Sequence, residues 1–287
     1  MASGGPKHIC CLCSDGTVLA IGDNSKGQCQ IPALDEGLTY TQVAAGAEHT
    51  VLLRSDGIAI ACGLNEDEQC DIPELPPRPE GVTYVQVSAG TYHTILLRSD
   101  GRPLGCGAND SGQSDPTWGF VSCSQVSAGE EHTVLLRQNG DAEACGDNDD
   151  KQCVIPPLPK GLRYSQVSGG GYHTVFLRSD GSVVASGNNN AGQCDLPPPG
   201  EGGKYTQVSA GTSHTVLLRS DGEATAIGGN RNGQCTIPAL EPGMVYTQVC
   251  ACYDHTVLLR RDCKAVSCGV WSPPPPHLFF HPPTEHS

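Results

Sequence analysis

Short apolar, β-prone runs alternate along the chain with glycine-rich polar turns, and one such unit spans residues 205–238. In that unit YTQVS, HTVLLRS, EATAIG and QCTIP each have the length and composition of a strand. Asp221-Gly222 lies between the second and third runs, and Asp-Gly is typical of a two-residue type I′ hairpin turn. The unit has no helical periodicity. We therefore predict four short antiparallel strands for it.

The same unit returns along the whole chain, each time with a histidine at the head of a sequence close to HTVLLRSDG. Successive copies stand about 41 residues apart, and a fixed period of this length indicates an array of one supersecondary unit. Four short strands per unit are typical of a propeller blade, and closed propellers have four to eight blades. The leading histidines are His8, His49, His93, His132, His173, His214 and His255.

We predict an all-β fold, a seven-bladed β-propeller of four-stranded repeats, with an open β-solenoid as the alternative. One domain covers residues 1–270, and a Pro-rich C-terminal tail covers 271–287. Both terminal blades should be incomplete, because residues 1–7 are too short for a YTQV strand and the last copy has no GQC run. Residues 278–280 could close the ring as a strand, bind a partner or be disordered.

Composition narrows the classes of partner. The formal charge is −14, with 17 Lys+Arg against 31 Asp+Glu and no basic run. Such a chain is poorly suited to nucleic-acid phosphates or anionic membranes, so we expect no nucleic acid and no membrane as partners. The start MASGGPKH has no apolar core of a signal peptide, and no apolar stretch approaches the length of a membrane span. We expect a monomer in the cytoplasm or nucleus.

The chain has 16 cysteines, and most recur in register. Because free Cys behaves as a small buried hydrophobe and no secretory signal is present, we expect reduced thiols. Seven cysteines fall outside the two recurring slots, and six of these lie in the first and last copies, which are neighbours if the ring closes. A zinc site, a disulfide and drifted terminal repeats are the alternatives for these six. The recurring ones are Cys29, Cys70, Cys153, Cys194 and Cys235, then Cys62, Cys106, Cys145 and Cys268; the six in the terminal copies are Cys10, Cys11, Cys13, Cys250, Cys252 and Cys263.

The leading histidines favour a structural role over a metal site. One histidine per blade is too dispersed for a shared ion, and we expect each ring to bond to nearby backbone. An Arg also recurs at the end of the second run, beside the Asp of the turn, and predicts a structural ion pair in each blade. A ring of exposed Arg that binds an anionic partner is the alternative. The structural histidines are His49, His93, His132, His173, His214 and His255.

The loops after the third run vary in sequence, and variable loops on a regular scaffold are where binding usually occurs. We therefore predict that these loops bind a protein partner. None has the spacing of a calcium loop, and ordinary solvated loops are the alternative. The candidate residues are Asn65, Glu66, Asp67, Asn109, Asp110, Asn148, Asp149, Asp150, Asn189, Asn190, Asn230 and Arg231.

The chain has no pattern that indicates catalysis. It has no Gly-x-Ser-x-Gly, no phosphate-binding loop and no His-Glu-x-x-His. We therefore predict no enzyme activity, no cofactor and no metal.

The pattern V-S-A-G-x-x-H-T-x-L-L, followed by D-G-x-x-x-x-x-G-x-N-x-x-G-Q, resembles the regulator of chromosome condensation repeat. The best copies are 208–234 and 167–193, and the resemblance extends from His8 to Gly269. It implies a seven-bladed propeller. The units are shorter than typical ones, and Gly-Gln-Cys stands where the family usually has Gly-Gln-Leu-Gly.

From this resemblance we expect a non-catalytic scaffold for protein–protein interaction. Two alternatives are a guanine-nucleotide exchange factor for a small GTPase and the substrate-recognition part of a HECT-type ubiquitin ligase. The family's exchange factors use an inserted β-wedge, for which these units are too uniform in length, and the sequence contains no HECT domain. The clustered tryptophans of the family's UV-B receptors are also missing, since only Trp118 and Trp271 are present.

Overall fold

The computed structural model describes residues 2–75, 81–115 and 122–269. Within these ranges the regular elements are 21 strands in seven three-stranded antiparallel sheets, which we call blades 1 to 7. The described ranges contain no helix that could cross a membrane. The predicted all-β, seven-bladed propeller is thus confirmed. The expectations for residues 278–280 concern positions outside the described residues.

In each blade the strands follow one another in chain order across the sheet. Blades 1 to 4 comprise β1 (Ala2–Gly4), β2 (His8–Leu12), β3 (Val18–Gly22); β4 (Tyr40–Ala45), β5 (His49–Arg54), β6 (Ala59–Gly63); β7 (Tyr84–Ala89), β8 (His93–Arg98), β9 (Pro103–Gly107); and β10 (Cys123–Ala128), β11 (His132–Arg137), β12 (Ala142–Gly146). Blades 5 to 7 comprise β13 (Tyr164–Gly169), β14 (His173–Arg178), β15 (Val183–Gly187); β16 (Tyr205–Ala210), β17 (His214–Arg219), β18 (Ala224–Gly228); and β19 (Tyr246–Ala251), β20 (His255–Arg260), β21 (Ala265–Gly269).

The prediction of a fourth strand in each blade is wrong for the described residues, because the Gly-Gln-Cys segment is a folded loop. In blade 1 Asn24 Oδ1 accepts the backbone N–H of Cys29, and Gln28 Oε1 accepts that of Lys26. Blades 2, 4, 5 and 6 repeat both bonds. Side chains within the loop thus satisfy the backbone donors that a fourth strand would need for its ladder.

The prediction that blade 1 has no first strand is also wrong. Residues 2–4 form β1, which pairs with β2 in the register Ala2↔Cys11, Ser3↔Cys10 and Gly4↔Ile9. A tight turn, in which the Gly5 N–H donates to the carbonyl of His8, joins the two strands. Because the turn is so short, the few residues before His8 suffice for a strand.

Face-to-face stacking of the blades explains why the middle strands are apolar without alternation. In blade 2, Val51 and Leu53 pack with Tyr84 and Leu96 of blade 3. Leu52 points the other way and packs with Cys10 of blade 1. Since a sheet covered on both faces buries successive side chains, VLL can be continuous. The same arrangement holds through blades 4 to 7.

The ring closes where blade 7 meets blade 1, a junction that we call the seam. There β1 lies against β19. Ile9 and Cys11 of blade 1 pack with Cys252 and Val257 of blade 7. The first strand of each blade is innermost, and the ends of these seven strands surround a central channel.

Candidate partner-binding face around the central channel

A chain of three buried polar groups joins each blade to the next at six junctions. Between blades 4 and 5, His132 Nε2 lies 2.9 Å from Thr174 Oγ1, and this hydroxyl donates to the carbonyl of Gln152 at 2.7 Å. Because the single hydroxyl proton goes to the carbonyl, the imidazole must carry its proton on Nε2 and donate. The other five junctions use Thr50, Thr94, Thr133, Thr215 and Thr256 in the same way.

The expectation that each ring bonds to nearby backbone is wrong at these junctions. The imidazole packs against the glycine of the preceding turn, so that a Cβ on Gly46 would lie 2.3 Å from His49 Cε1. This contact turns Nε2 toward the next blade and its threonine. At the seam Ile9 occupies the threonine position, and His255 Nε2 lies beside Gly4 of β1.

Burial holds the histidines in the neutral form. It lowers the pKa to about 3 for His49, His93 and His173. It lowers the pKa to about 4 for His132, His214 and His255. The charged form would lose its hydration without gaining a counter-ion, so the structure disfavours it. These side chains hold blades together and do not face a ligand.

The loops that follow the third strand of each blade, which we call the strand-three loops, lie on the face of the ring where the second strands begin. Five of the candidate residues are anchors, because each asparagine side chain accepts the backbone N–H of the residue five positions later. Asp150 is half-buried and accepts an N–H from the side chain of Asn188 in the next blade. The anchors are Asn65, Asn109, Asn148, Asn189 and Asn230; the exposed remainder are Glu66, Asp67, Asp110, Asp149, Asn190 and Arg231.

A second ring of loops, between the first and second strands, lies inside the strand-three loops on the same face. Backbone bonds tie the two rings together, since Leu64 N–H donates to the carbonyl of Glu48, and Asn188 N–H to that of Tyr172. These inner loops line the channel mouth, where a cavity of 190 Å³ opens among residues of all seven blades. The sequence-based prediction of binding covered the strand-three loops and did not include this inner ring.

Three exposed tyrosines stand on the inner ring. Tyr92, Tyr172 and Tyr253 expose 40%, 43% and 38% of their surface. The sequence contains a signal for them. Of the eight tyrosines, five open a first strand and have buried rings, and these three alone stand outside that register.

A carboxylate at the mouth connects three blades. Glu130 Oε1 of blade 4 accepts the hydroxyl of Thr212 in blade 6 at 2.7 Å, and Glu130 also bonds to Tyr172 of blade 5. Burial raises the pKa of Glu130, although both hydrogen bonds oppose that shift. Glu131 beside it is exposed, and Asp254 lies on the same ring. The mouth therefore combines aromatic surface with negative charge.

The opposite face carries the predicted Arg–Asp turns. Arg54, Arg98, Arg219 and Arg260 each reach the Asp two residues later, at 2.6, 2.7, 2.5 and 3.0 Å. In blade 4 Arg137 instead contacts Glu143, and in blade 5 Arg178 donates to the carbonyl of Pro157 at 3.4 Å, so the prediction of an Arg–Asp pair is wrong for these two blades. With their charges already paired, the arginines other than Arg178 offer little to an anionic partner.

None of the cysteines in the described ranges forms a disulfide. No group of three or more His, Cys, Asp or Glu side chains within residues 2–75, 81–115 and 122–269 could hold a metal ion. A zinc site at the seam therefore lacks a ligand set among these residues.

Seven three-stranded blades around a channel, with variable loops on one face, define a β-propeller. The sequence profile of the Regulator of chromosome condensation (RCC1) repeat matches more than half of the chain, so the protein belongs to this family. The profile covers six of the seven copies and omits the last. The matched segments are 2–28, 40–69, 84–113, 123–152, 164–193 and 205–234. No curated protein sequence matches the chain.

Solved structures share the fold at low identity. Prp20p from Saccharomyces cerevisiae is 20% identical with a TM-score of 0.70, over 80% of this chain and 72% of that one. Human WBSCR16 is 19% identical with a TM-score of 0.75, over 91% and 86%. The CRINKLY WD40 ectodomain of the Arabidopsis thaliana receptor kinase ACR4 is 21% identical with a TM-score of 0.69, over 94% and 97%. At these identities the likeness extends to the fold alone.

Proposed function

We propose that the protein is a non-catalytic interaction scaffold that binds a basic segment of another protein at the channel-mouth face. The observation that carries this proposal is the set of three exposed tyrosines at the mouth, which nothing in the repeat requires. Tyrosine is enriched at protein interfaces because it offers a large rigid surface with a polar end.

Charge selects the kind of partner. Glu131 and Asp254 lie beside the tyrosines, and Glu66, Asp67 and Asp110 line the outer loops. An Arg side chain could stack on a tyrosine ring and pair with a carboxylate, and both interactions favour a cation. The net charge of −14 would attract the same partner from a distance.

The test separates the mouth from the rest of the surface. Fluorescein-labelled Arg/Gly and Glu/Gly peptides of equal length serve as probes in fluorescence anisotropy, together with affinity capture and mass spectrometry from cell extract. The variant replaces all three mouth tyrosines by alanine, and a second variant carries Glu131→Lys. The control is Val85→Ala, because Val85 is 50% exposed but lines a different, 470 Å³ depression formed by the beginnings of first strands and the ends of second strands.

We expect the wild type and the control to bind the Arg/Gly peptide, with affinity that falls as salt rises. The triple variant should bind it at least about tenfold more weakly, since two or more hot-spot contacts are removed. If the triple variant retains both the peptide and every captured partner, the proposal is wrong. Preference for the Glu/Gly peptide would also overturn it.

Guanine-nucleotide exchange is the alternative function, and the solved structure of Prp20p, which is described with its binding properties to Gsp1p and histones, shares the fold. A GDP-release assay on a panel of small GTPases tests it, and we expect no acceleration. We further propose a monomer that does not bind nucleic acid. Size-exclusion chromatography with light scattering and a DNA gel shift test these two points.

A further inference from the structure

The seam replaces two repeated residues by cysteines. At five regular junctions a serine of one first strand accepts a backbone N–H of the next blade, as Ser209 Oγ does from Ala251 at 2.9 Å. The same position in β19 is Cys250, at the junction with blade 1. Two residues further on, the place of Gly211 and its equivalents is taken by Cys252.

The two sulfurs lie close together on the channel wall. Cys250 Sγ and Cys252 Sγ are 3.7 Å apart, and Cys252 is only 3% exposed. Both residues line the 190 Å³ cavity, together with Ser3 and Gly4 of blade 1. A small solute that enters the channel can therefore approach the pair.

The surroundings give the two thiols different roles. The hydrogen bond between the two thiols lowers the pKa of Cys250, and the Gly4 backbone amide favours the thiolate of either cysteine. The same contact and burial raise the pKa of Cys252. By contrast, burial raises the pKa of repeat cysteines such as Cys145, to about 12. Because the thiolate is the nucleophile, Cys250 is set apart from the repeat cysteines.

We propose that Cys250 and Cys252 form a reversible disulfide when a hydroperoxide enters the channel. The sulfur of Cys250 attacks the peroxide O–O bond and becomes a sulfenic acid, while the leaving oxygen takes a proton and departs as water. The sulfur of Cys252 then attacks the sulfenic sulfur, and its proton leaves with the hydroxyl group as a second water. Two thiols are oxidised, one hydrogen peroxide is reduced to two waters, and a dithiol restores the pair.

The geometry permits the bond with small movements. A disulfide needs the sulfurs about 2.05 Å apart, so the present separation of 3.7 Å has to close by about 1.7 Å. The disulfide would also change the two sulfur acceptors that face the Gly4 amide. The oxidation state is therefore transmitted to β1, the three-residue strand that closes the ring.

The test treats the reduced full-length protein with hydrogen peroxide, blocks remaining thiols with iodoacetamide after denaturation, and maps peptides by mass spectrometry. We expect the peptide with both residues to lose two hydrogens and the label on both sulfurs, and to regain both labels after dithiothreitol. Cys62 and Cys145 should remain fully alkylated, because they are repeat cysteines with raised pKa values.

Two variants restore the residues of the regular junctions, so each should fold. Cys250→Ser should abolish the disulfide and leave Cys252 alkylated, whereas Cys252→Gly should leave Cys250 as a sulfenic acid that reacts with dimedone. Peroxide that carries Cys250 of the wild type to sulfinic acid without a disulfide would overturn the proposal. A disulfide between Cys250 and Cys11, or none at all, would equally contradict it.

Discussion

The six regular junctions and the seam are built from different chemistry. At a regular junction a histidine, a threonine and a glutamine carbonyl form a buried hydrogen-bonded chain, as His132, Thr174 and Gln152 do. At the seam Ile9 replaces the threonine, and Cys250 and Cys252 replace a serine and a glycine. The same blade geometry can therefore be closed by directional hydrogen bonds or by apolar and sulfur contacts.

Because their chemistry differs, the regular junctions and the seam should also have different roles. The hydrogen-bonded chains specify how one blade meets the next, because an unpaired buried donor or acceptor costs about 1–3 kcal/mol. Apolar contacts are less directional and tolerate small shifts. The seam is thus the junction best suited to a chemical change, and we expect the regular junctions to determine stability.

The largest expected effect is acid unfolding, which acts on every junction at once. Histidine in the unfolded chain titrates near pH 6.5, whereas the buried rings have pKa values lowered to about 3 or 4. Above pH 6.5 neither state binds the protons. As the pH falls below that value the unfolded state binds them first, so the free energy of unfolding decreases until the native rings titrate.

At pH 5 the loss is about 2 kcal/mol for each buried histidine, which over several blades exceeds the stability of an ordinary domain. Urea unfolding at pH 7 and at lower pH, followed by circular dichroism, measures it. Equal free energies of unfolding at pH 7 and pH 5.5 would contradict the assignment of neutral buried rings.

A single junction should be sensitive to one hydroxyl. Thr174→Val keeps the shape of the side chain but leaves both the Nε2–H of His132 and the carbonyl of Gln152 unpaired, at a cost of about 2–4 kcal/mol. Thr174→Ser retains the hydroxyl and should cost less than half as much. The matched change at the seam, Ile9→Val, should cost about 1 kcal/mol.

Urea unfolding of these three variants compares the two kinds of junction directly. If Ile9→Val destabilises the protein as much as Thr174→Val, the regular junctions have no special part in stability.

The smallest expected effect concerns the Arg–Asp turns on the face opposite the channel mouth. There the loss of stability should be the same in a blade between two regular junctions as in blade 7, which borders the seam. Asp100→Asn in a regular blade and Asp262→Asn in the seam blade each weaken a partly exposed ion pair. Each should cost less than about 1 kcal/mol, because solvent screens such pairs. Thermal unfolding at low and high salt measures both, and a large cost at Asp262 alone would extend the difference between junctions to the far face.

Much of the fold could be predicted from the sequence, because the repeat period and the apolar runs directly reflect blades buried on both faces. The fourth strand could not, since Gln28 and Asn24 satisfy the backbone of their own loop and strand propensity does not register such bonds. Strand β1 was missed because a strand of three residues has no pattern of its own.

The candidate site was predicted in part. The strand-three loops do lie on the face that we assign to binding, but their asparagines are anchors whose side chains face their own backbone. The tyrosines of the inner ring were overlooked because their loop is only a few residues long. Their departure from the register of the other five tyrosines was nevertheless visible in the sequence.

The bond between Glu130 and Thr212 joins blades 4 and 6 and passes over blade 5. All regular junctions have the same parts, so removing blade 5 would bring together a histidine and a threonine that still match. The blades of Glu130 and Thr212 would then be adjacent, and the present bond across an intervening blade would no longer exist. The blades are therefore interchangeable at their interfaces but not at the channel mouth. The contacts at the mouth depend on the order of the repeats along the chain.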